Sequence, residues 1–455
     1  MVTFISLLSQ SASYYTETTL HLICPNPSCH QEVNIHALST ISVSKGLCSL
    51  HFKMSKTVDT ENETKTKDSK ETPGSENKKS YCKLETVTSE RSQYSPGLSI
   101  LKKAILLQCI VYISLPVILC LFPWILGHVV FSHWLRIPYL VDLASPAELS
   151  LNHTLNFYLS PEEGISLGVW HTVPDSQWEK AQGAGPEWYS ETLGDGSPVI
   201  IYLHGNVGSR AINHRVELVK ILSAAGYHVL SLDYRGYGDS SGEPSEVGLT
   251  SDALYLYQWV KTRSRTSQIS LWGHSLGTGV ATNAAVKIQE QAMELARERA
   301  RDLRDVTQAD LEPSYAVDSV ILEAPYTNME EEVASHPLSV MYQCLPGFQS
   351  VLHHVMRSNN MVFANDENLK TLTTRILFLH AEDDNVVPFY MSQKLHQIAL
   401  QARRQRYAED QVHMVSYSGS LGYSHNYIYL DPNLASVVGR FLQSKNNNID
   451  RPIVG

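Results

Sequence analysis

The pentapeptide Gly273-His-Ser275-Leu-Gly277 sits where a nucleophile would need it. Ile269-Ser-Leu-Trp272 before it reads as a short strand, and Thr278 to Val286 after it reads as a helix of small residues. Strand, tight turn and helix together make a nucleophile elbow, in which Gly273 and Gly277 relieve crowding around a strained serine. A serine hydroxyl is a weak nucleophile unless a base takes its proton and a third group orients that base. With this elbow the acid and then the histidine follow the serine in chain order. Carboxylates come just after the apolar run Arg375 to Leu379, in His380-Ala-Glu-Asp-Asp384, at the carboxyl end of a buried strand where parallel sheets place reacting groups. Asp384 is the choice for the acid, with Asp383 and Glu382 as competitors. Downstream, His396 falls in a helix and His413 within a strand, which leaves His425, in the loop before a terminal helix over Pro432 to Leu442, as the base.

Attack on an ester carbonyl creates an oxyanion, which pre-aimed backbone N–H groups stabilise. Leu276, the residue after the nucleophile, supplies one, and the loop after the third strand supplies the other. That loop is His204-Gly-Asn206-Val-Gly208, with Asn206 the choice and His204 assigned a buried structural hydrogen bond. The Gly-dense turn Asp233-Tyr-Arg-Gly-Tyr-Gly-Asp239-Ser-Ser-Gly242 is expected to support this loop. Neither a cofactor nor a metal is required by this chemistry. Cys24-Pro-Asn-Pro-Ser-Cys29 could be half a zinc site, but no second such pair answers it, so no metal site is expected.

The elements that must position these groups are short β-branched runs at Leu155 to Ser160, Ser166 to Thr172, Pro198 to Leu203, His228 to Leu232, Ile269 to Trp272, Ser319 to Leu322, Arg375 to Leu379 and Val412 to Ser416. Amphipathic stretches separate most of them after the third. Continuous apolar runs such as Val199-Ile-Ile-Tyr-Leu203 suit central parallel strands covered on both faces. The expected class is α/β with a mainly parallel sheet of roughly eight strands, over a catalytic domain spanning 150–445. The connection 325–374 is too long for a bare loop in a compact domain. It reads as a lid whose Leu338, Met341, Tyr342, Leu345 and Phe348 line an apolar channel, against the alternative of ordinary core packing.

Ahead of this domain, residues 1–99 read as a cytosolic tail, largely disordered, since the Lys, Glu, Ser and Thr of Phe52 to Ser95 could not offset the entropy of ordering. From Ala104 to Leu135 there is no Asp, Glu, Lys or Arg, which predicts a transmembrane helix over 104–126. Lys78, Lys79, Lys83, Arg91, Lys102 and Lys103 precede it and Arg136 follows, so the positive-inside bias puts the N-terminus in the cytosol and the large domain on the far side. Asn152-His-Thr154 is a glycosylation sequon on that side. Cys344 alone lies in the long C-terminal part, which precludes a disulfide within it. A composition of 43% hydrophobic residues supports a large core, and a net charge of -10 excludes a chain built to neutralise nucleic acid phosphates. Oligomeric state leaves no mark on the sequence.

HGN after one strand, DYRGYGDS after the next, GHSLG, AEDDNVVP and a late Gly-Tyr-Ser-His425 together resemble the α/β-hydrolase family. The longer strings Trp272 to Asn283, Phe363-Ala-Asn-Asp-Glu-Asn368 and Leu421 to Tyr429 resemble its membrane-anchored lysophosphatidylserine lipases, also described as monoacylglycerol lipases. The resemblance covers most of Ile100 to Leu442. It implies a glycosylated enzyme of the endoplasmic reticulum membrane with a lumenal active site. Such an enzyme releases the fatty acid of lysophosphatidylserine, other lysophospholipids or monoacylglycerol, with Ser275 as nucleophile, Asp384 as acid and His425 as base. The stretch before Met54 and the charged segment 290–313 depart from the pattern, the latter reading as a solvated helical extension. Two other functions fit the fold, a thioesterase or depalmitoylase and an inert interaction module. A lumenal orientation disfavours the first, and a complete set of triad positions disfavours the second.

Overall fold

The computed structural model describes residues 96–302, 317–404 and 408–443. Residues 1–95, with Cys24, Cys29 and Met54, and residues 303–316 of the charged segment lie outside this description.

The sheet has eight strands in the order β1-β2-β4-β3-β5-β6-β7-β8. They are β1 (Thr154–Leu159), β2 (Leu167–Thr172), β3 (Val199–Leu203), β4 (His228–Leu232), β5 (Ile269–His274), β6 (Ser319–Glu323), β7 (Arg375–Ala381) and β8 (Val412–Tyr417). β2 runs antiparallel to both β1 and β4, and the pairs from β4 to β8 are parallel. β5 runs two residues beyond the expected Trp272 because Gly273 and His274 pair with Leu322 and Glu323. The extra pairing carries the strand up to the serine.

Strand periodicity divides the core between two faces. Val199, Ile201 and Leu203 join one apolar cluster, covered by α4 (Glu246–Lys261), α5 (Leu276–Asp302) and α9 (Phe389–Arg404). Ile200 and Tyr202 join the other, under α3 (Asn213–Ala224) and α10 (Leu434–Gln443). Sheet centre strands are thus apolar on both faces, and the reacting groups fall to the loops at their carboxyl ends. α5 continues the elbow helix through Asp302 and ends in exposed charged residues, as expected of a solvated extension.

Before the sheet, α1 (Pro96–Leu121) contains the one stretch among the described residues long and apolar enough to cross a membrane, Lys102–Leu121, none of it buried. The continuous helix stops short of the expected residue 126. Pro123 has no N–H to extend the ladder, so Trp124 opens a second helix, α2 (Trp124–Phe131). Leu126, Gly127, Val130 and Phe131 on α2 are buried against the catalytic domain. Between β6 and β7 the long connection folds into α6 (Met329–Ser335), a short turn of helix over Pro337–Val340, α7 (Phe348–Ser358) and α8 (Asn365–Thr371).

Candidate active site

Ser275 lies between β5 and α5 with φ +53°, a left-handed conformation that only a tightly held turn sustains for a residue with a side chain. Two features hold it. The Ser275 amide donates to Glu323 O (3.0 Å), and Gly277 lets the helix close against β3, since a Cβ there would sit 1.9 Å from Leu203 O. Leu276 opens α5, so its N–H has no acceptor within the helix and belongs to the positive end of the helix dipole.

The acid loop holds the histidine loop through each of its carboxylates. Glu382 accepts from Gly419 N (3.3 Å) and Asp383 from Ser424 N (3.1 Å to each oxygen). Asp384 Oδ2 accepts from His425 Nδ1 at 2.7 Å, while Oδ1 takes the amides of Val386 (2.8 Å) and Val387 (2.9 Å). A carboxylate only accepts, so Nδ1 carries the proton and Nε2 presents a lone pair. Asp384 is thus the carboxylate in contact with the imidazole, and its two competitors grip the backbone of the same loop. Ser275 Oγ and His425 Nε2 make no hydrogen bond among the described residues, so neither is committed to another group. Such contacts tighten when substrate arrives.

His274, adjacent to the serine, donates from Nε2 to His425 O (3.0 Å), and the two rings lie 5.0 Å apart. Burial, assisted by His425, lowers the His274 imidazole to about 3, so this donor stays neutral. His380 Nε2 lies 3.2 Å from Asp384 Oδ2 and donates to Val387 O (3.0 Å). Burial would raise the Asp384 carboxyl, but His425 and His380 outweigh it and hold it well below the usual carboxylate range. Conversely, burial would lower His425, yet Asp384, with smaller contributions from Glu332 and Glu323, raises it. Both glutamates are themselves pushed up to about 7 by burial. Polarity is therefore that of an acid kept ionised and a base made stronger.

The loop after β3 lies against the nucleophile, for a Cβ at Gly205 would be 3.1 Å from Ser275 Cβ. His204 is fully buried, donates from Nδ1 to Gly205 O (2.6 Å), and has Nε2 3.2 Å from Asp233. Asp233 also binds Arg210 through its amide (2.7 Å) and guanidinium (2.6 Å), and Tyr234 donates to His204 O (3.1 Å). The Asp233 to Gly242 turn thus buttresses the loop. The Asn206 side chain donates to Val130 O of α2 (3.1 Å). The shared strings after the elbow and at Phe363 to Asn368 meet in space, with Thr282 bonded to Asn365 (2.6 Å) and Asn283 to Asn368 (2.6 Å).

Of the residues expected to line a channel, Met341 is exposed, and Tyr342, Leu345 and Phe348 are half-buried, with Phe348 packed against the core. Leu338 falls on the short helix Pro337–Val340. Leu352, Val355 and Met356 of α7 turn into the core instead. A polar cleft lined by Asn328, Glu330, Glu331, Ala334 and Gln349 does not include Ser275 and is unsuited to an acyl chain. Asn152 is exposed just before β1. No group of three or more metal-ligating side chains occurs among the described residues. Sequence reasoning missed His274, His380 and Arg215, whose guanidinium donates to the carbonyls of Gly205, Asn206 and Val207 in the loop beside the serine. The last carried a signal, since it shares a helical stripe with Leu218, Val219 and Leu222 and is buried with them.

A family model described as alpha/beta hydrolase fold matches residues 198–296. The chain is 44% identical to the lysophosphatidylserine lipase ABHD12 of Danio rerio, over 73% of this chain and 81% of that one. Identity to the Xenopus tropicalis protein of the same name is 46%, over 73% and 80% respectively. To the human protein ABHD12B it is 43%, over 70% and 80%. Conserved over most of both lengths, this sequence similarity places the chain in the ABHD12 family of α/β-hydrolases.

Proposed function

We propose that this chain is a membrane-anchored serine hydrolase that cleaves the fatty-acyl ester of single-chain lipids, lysophosphatidylserine and other lysophospholipids foremost and monoacylglycerol as well. The observation that carries the reading is the Asp384–His425 pair at 2.7 Å, with His425 tied by its backbone to the residue beside Ser275. His425 Nε2 takes the Ser275 proton as Oγ attacks the acyl carbonyl. The oxyanion is met by the N–H groups of Asn206 and Leu276. Collapse expels the glycerol oxygen, which takes its proton from His425, and leaves an acyl-serine that water, activated by the same imidazole, then hydrolyses. No cofactor enters these steps. The relatives named lysophosphatidylserine lipase support the choice of substrate.

Membranes carrying the protein should hydrolyse lysophosphatidylserine and monoacylglycerol, and membranes carrying Ser275→Ala should not. Loss of a fluorophosphonate label at the same position checks that Ser275 is the nucleophile. A near wild-type rate in Ser275→Ala would refute the mechanism.

The reading extends to topology. The basic residues ahead of α1 support a cytosolic tail and a catalytic domain on the far side of the membrane, and the resemblance to the lysophosphatidylserine lipases supports the endoplasmic reticulum lumen as that side. Glycosidase treatment should then increase mobility on a gel, and Asn152→Gln should remove most of that shift. Protease that digests the catalytic domain in sealed microsomes would overturn this orientation.

A further inference from the structure

Successive carbonyls of the loop after β3 converge on one buried guanidinium. Arg215, in the first turn of α3, is 2% exposed. Its Nη2 donates to the carbonyls of Gly205 (3.3 Å), Asn206 (3.2 Å) and Val207 (2.9 Å), and its Nη1 to Ser209 O (2.8 Å). Arg210 and Arg235 nearby each bind an aspartate, Asp233 and Asp252. Arg215 has no carboxylate at ion-pair distance among the described residues. A buried cation without a carboxylate in direct contact is expensive, and an apolar side chain would fill the same stripe of α3 more cheaply.

What the cation does follows from peptide geometry. A trans peptide is planar, so the N–H of Asn206 points opposite to the carbonyl of Gly205. That carbonyl is fastened by Arg215 and by His204 Nδ1. Fastening it on one side aims the Asn206 N–H to the other. The loop then bends through Val207 (φ +66°) and Gly208 (φ +71°), which lets neighbouring carbonyls point the same way. Aligned carbonyl dipoles repel one another unless a cation gathers them.

We infer that Arg215 is a positioning residue of the oxyanion hole, locking the loop with the Asn206 N–H aimed at the ester oxygen and setting a fixed positive charge behind it. The inference rests on the reading of this site as that of a serine hydrolase. Pre-aimed donors and fixed charge act only as negative charge develops, so their loss falls on the transition state more than on substrate binding.

The test uses the full chain in detergent, a short soluble ester as substrate and a trifluoromethyl ketone as transition-state mimic, with Arg215→Met, Arg215→Lys and Ser275→Ala compared. Arg215→Met should lower kcat by about 10²-fold, the scale of losing one oxyanion donor, with KM little changed. Affinity for the ketone should weaken by the same factor as kcat/KM. Arg215→Lys, which keeps the charge but cannot span the carbonyls, should recover part of the loss. A folded Arg215→Met with wild-type kcat, or with only KM raised, would overturn the inference while an inactive Ser275→Ala leaves the underlying reading standing. An active Ser275→Ala would overturn both. If the Arg215 variants do not melt cooperatively, hydrogen exchange at the Asn206 amide of the native protein decides. Slowing on ketone binding supports the aimed N–H, and unchanged exchange overturns it.

Discussion

Asp383 and Asp384 are identical side chains one residue apart, and the turn after β7 gives them different partners. Asp383 faces the Ser424 amide and Asp384 the His425 ring. Sequence could narrow the acid to this stretch because only its position after a buried strand was legible, whereas the direction of each side chain depends on the turn. His425 was easier to single out, since chain order left one loop histidine. The two aspartates should respond differently to amidation. Asparagine at 383 keeps an oxygen for the Ser424 N–H, so Asp383→Asn should retain most activity. Asp384→Asn removes the charge that fixes and strengthens the imidazole and should lower kcat by about 10⁴-fold. The reverse ranking would move the acid role to Asp383. The same charge sets the pH profile. His425 must be neutral to accept the serine proton, and its pKa is raised above the ordinary 6.5, so activity is lost as pH falls through a value above 6.5. The acid limb of kcat/KM on a soluble ester measures this, and Asp384→Asn should move the limb to lower pH. A wild-type limb below 6.5 would contradict the pairing.

At the scale of elements, the sheet was legible because its central strands are unbroken apolar runs, a pattern that a half-exposed helix does not produce. Strand ends were less so: β5 and β7 each run two residues past the expected apolar run, through Gly273-His274 and His380-Ala381, held by pairing with neighbouring strands. Long-range contacts left weaker marks. Arg215 looks like a surface charge until its helical stripe is drawn, and the bonds from α5 to α8 could be noticed only as unexplained Asn and Thr residues. The connection between β6 and β7 is divided between two duties. Leu352, Val355 and Met356 of α7 secure it to the core, and the half-buried Leu345 and Phe348 stand ahead of them in the chain. We propose that this forward part, with Leu338, Met341 and Tyr342, receives the acyl chain. Polar substitution of Leu345 and Phe348 should then depress turnover of long-chain lipid far more than that of a short soluble ester. Equal losses on both substrates would assign these residues to folding alone.

For the molecule as a whole, the segment that follows the apolar helix is part of the catalytic domain. Val130 O accepts from the Asn206 side chain (3.1 Å) and Phe131 O from Tyr237 (2.6 Å), while Leu135 O and Ile137 O take the amides of Gly208 (2.9 Å) and Ser209 (3.0 Å). From the end of α7, Asn359 donates to Pro123 O (2.8 Å). The loop that carries Asn206 is thereby held between Arg215 on α3 and the chain leaving α1. Trp124 and Trp134 of this segment stay exposed, and aromatic side chains of this kind suit the polar boundary of a bilayer. None of this was legible in the sequence, where residues 124–135 simply prolong an apolar run. The anchor and its docked continuation are therefore separable by truncation. A chain starting at residue 122 should keep its activity on a soluble ester in detergent, because α2 and its bonds remain. A chain starting at residue 139 loses every carbonyl that holds the loop, and its kcat should fall by about 10²-fold, comparable to losing an oxyanion donor. Asn206→Leu, which keeps the backbone N–H but not the bond to Val130, guards against a truncation that merely misfolds and should show a smaller loss in kcat with KM unchanged. Full activity in both the folded 139-start chain and Asn206→Leu would reduce the segment after α1 to a tether.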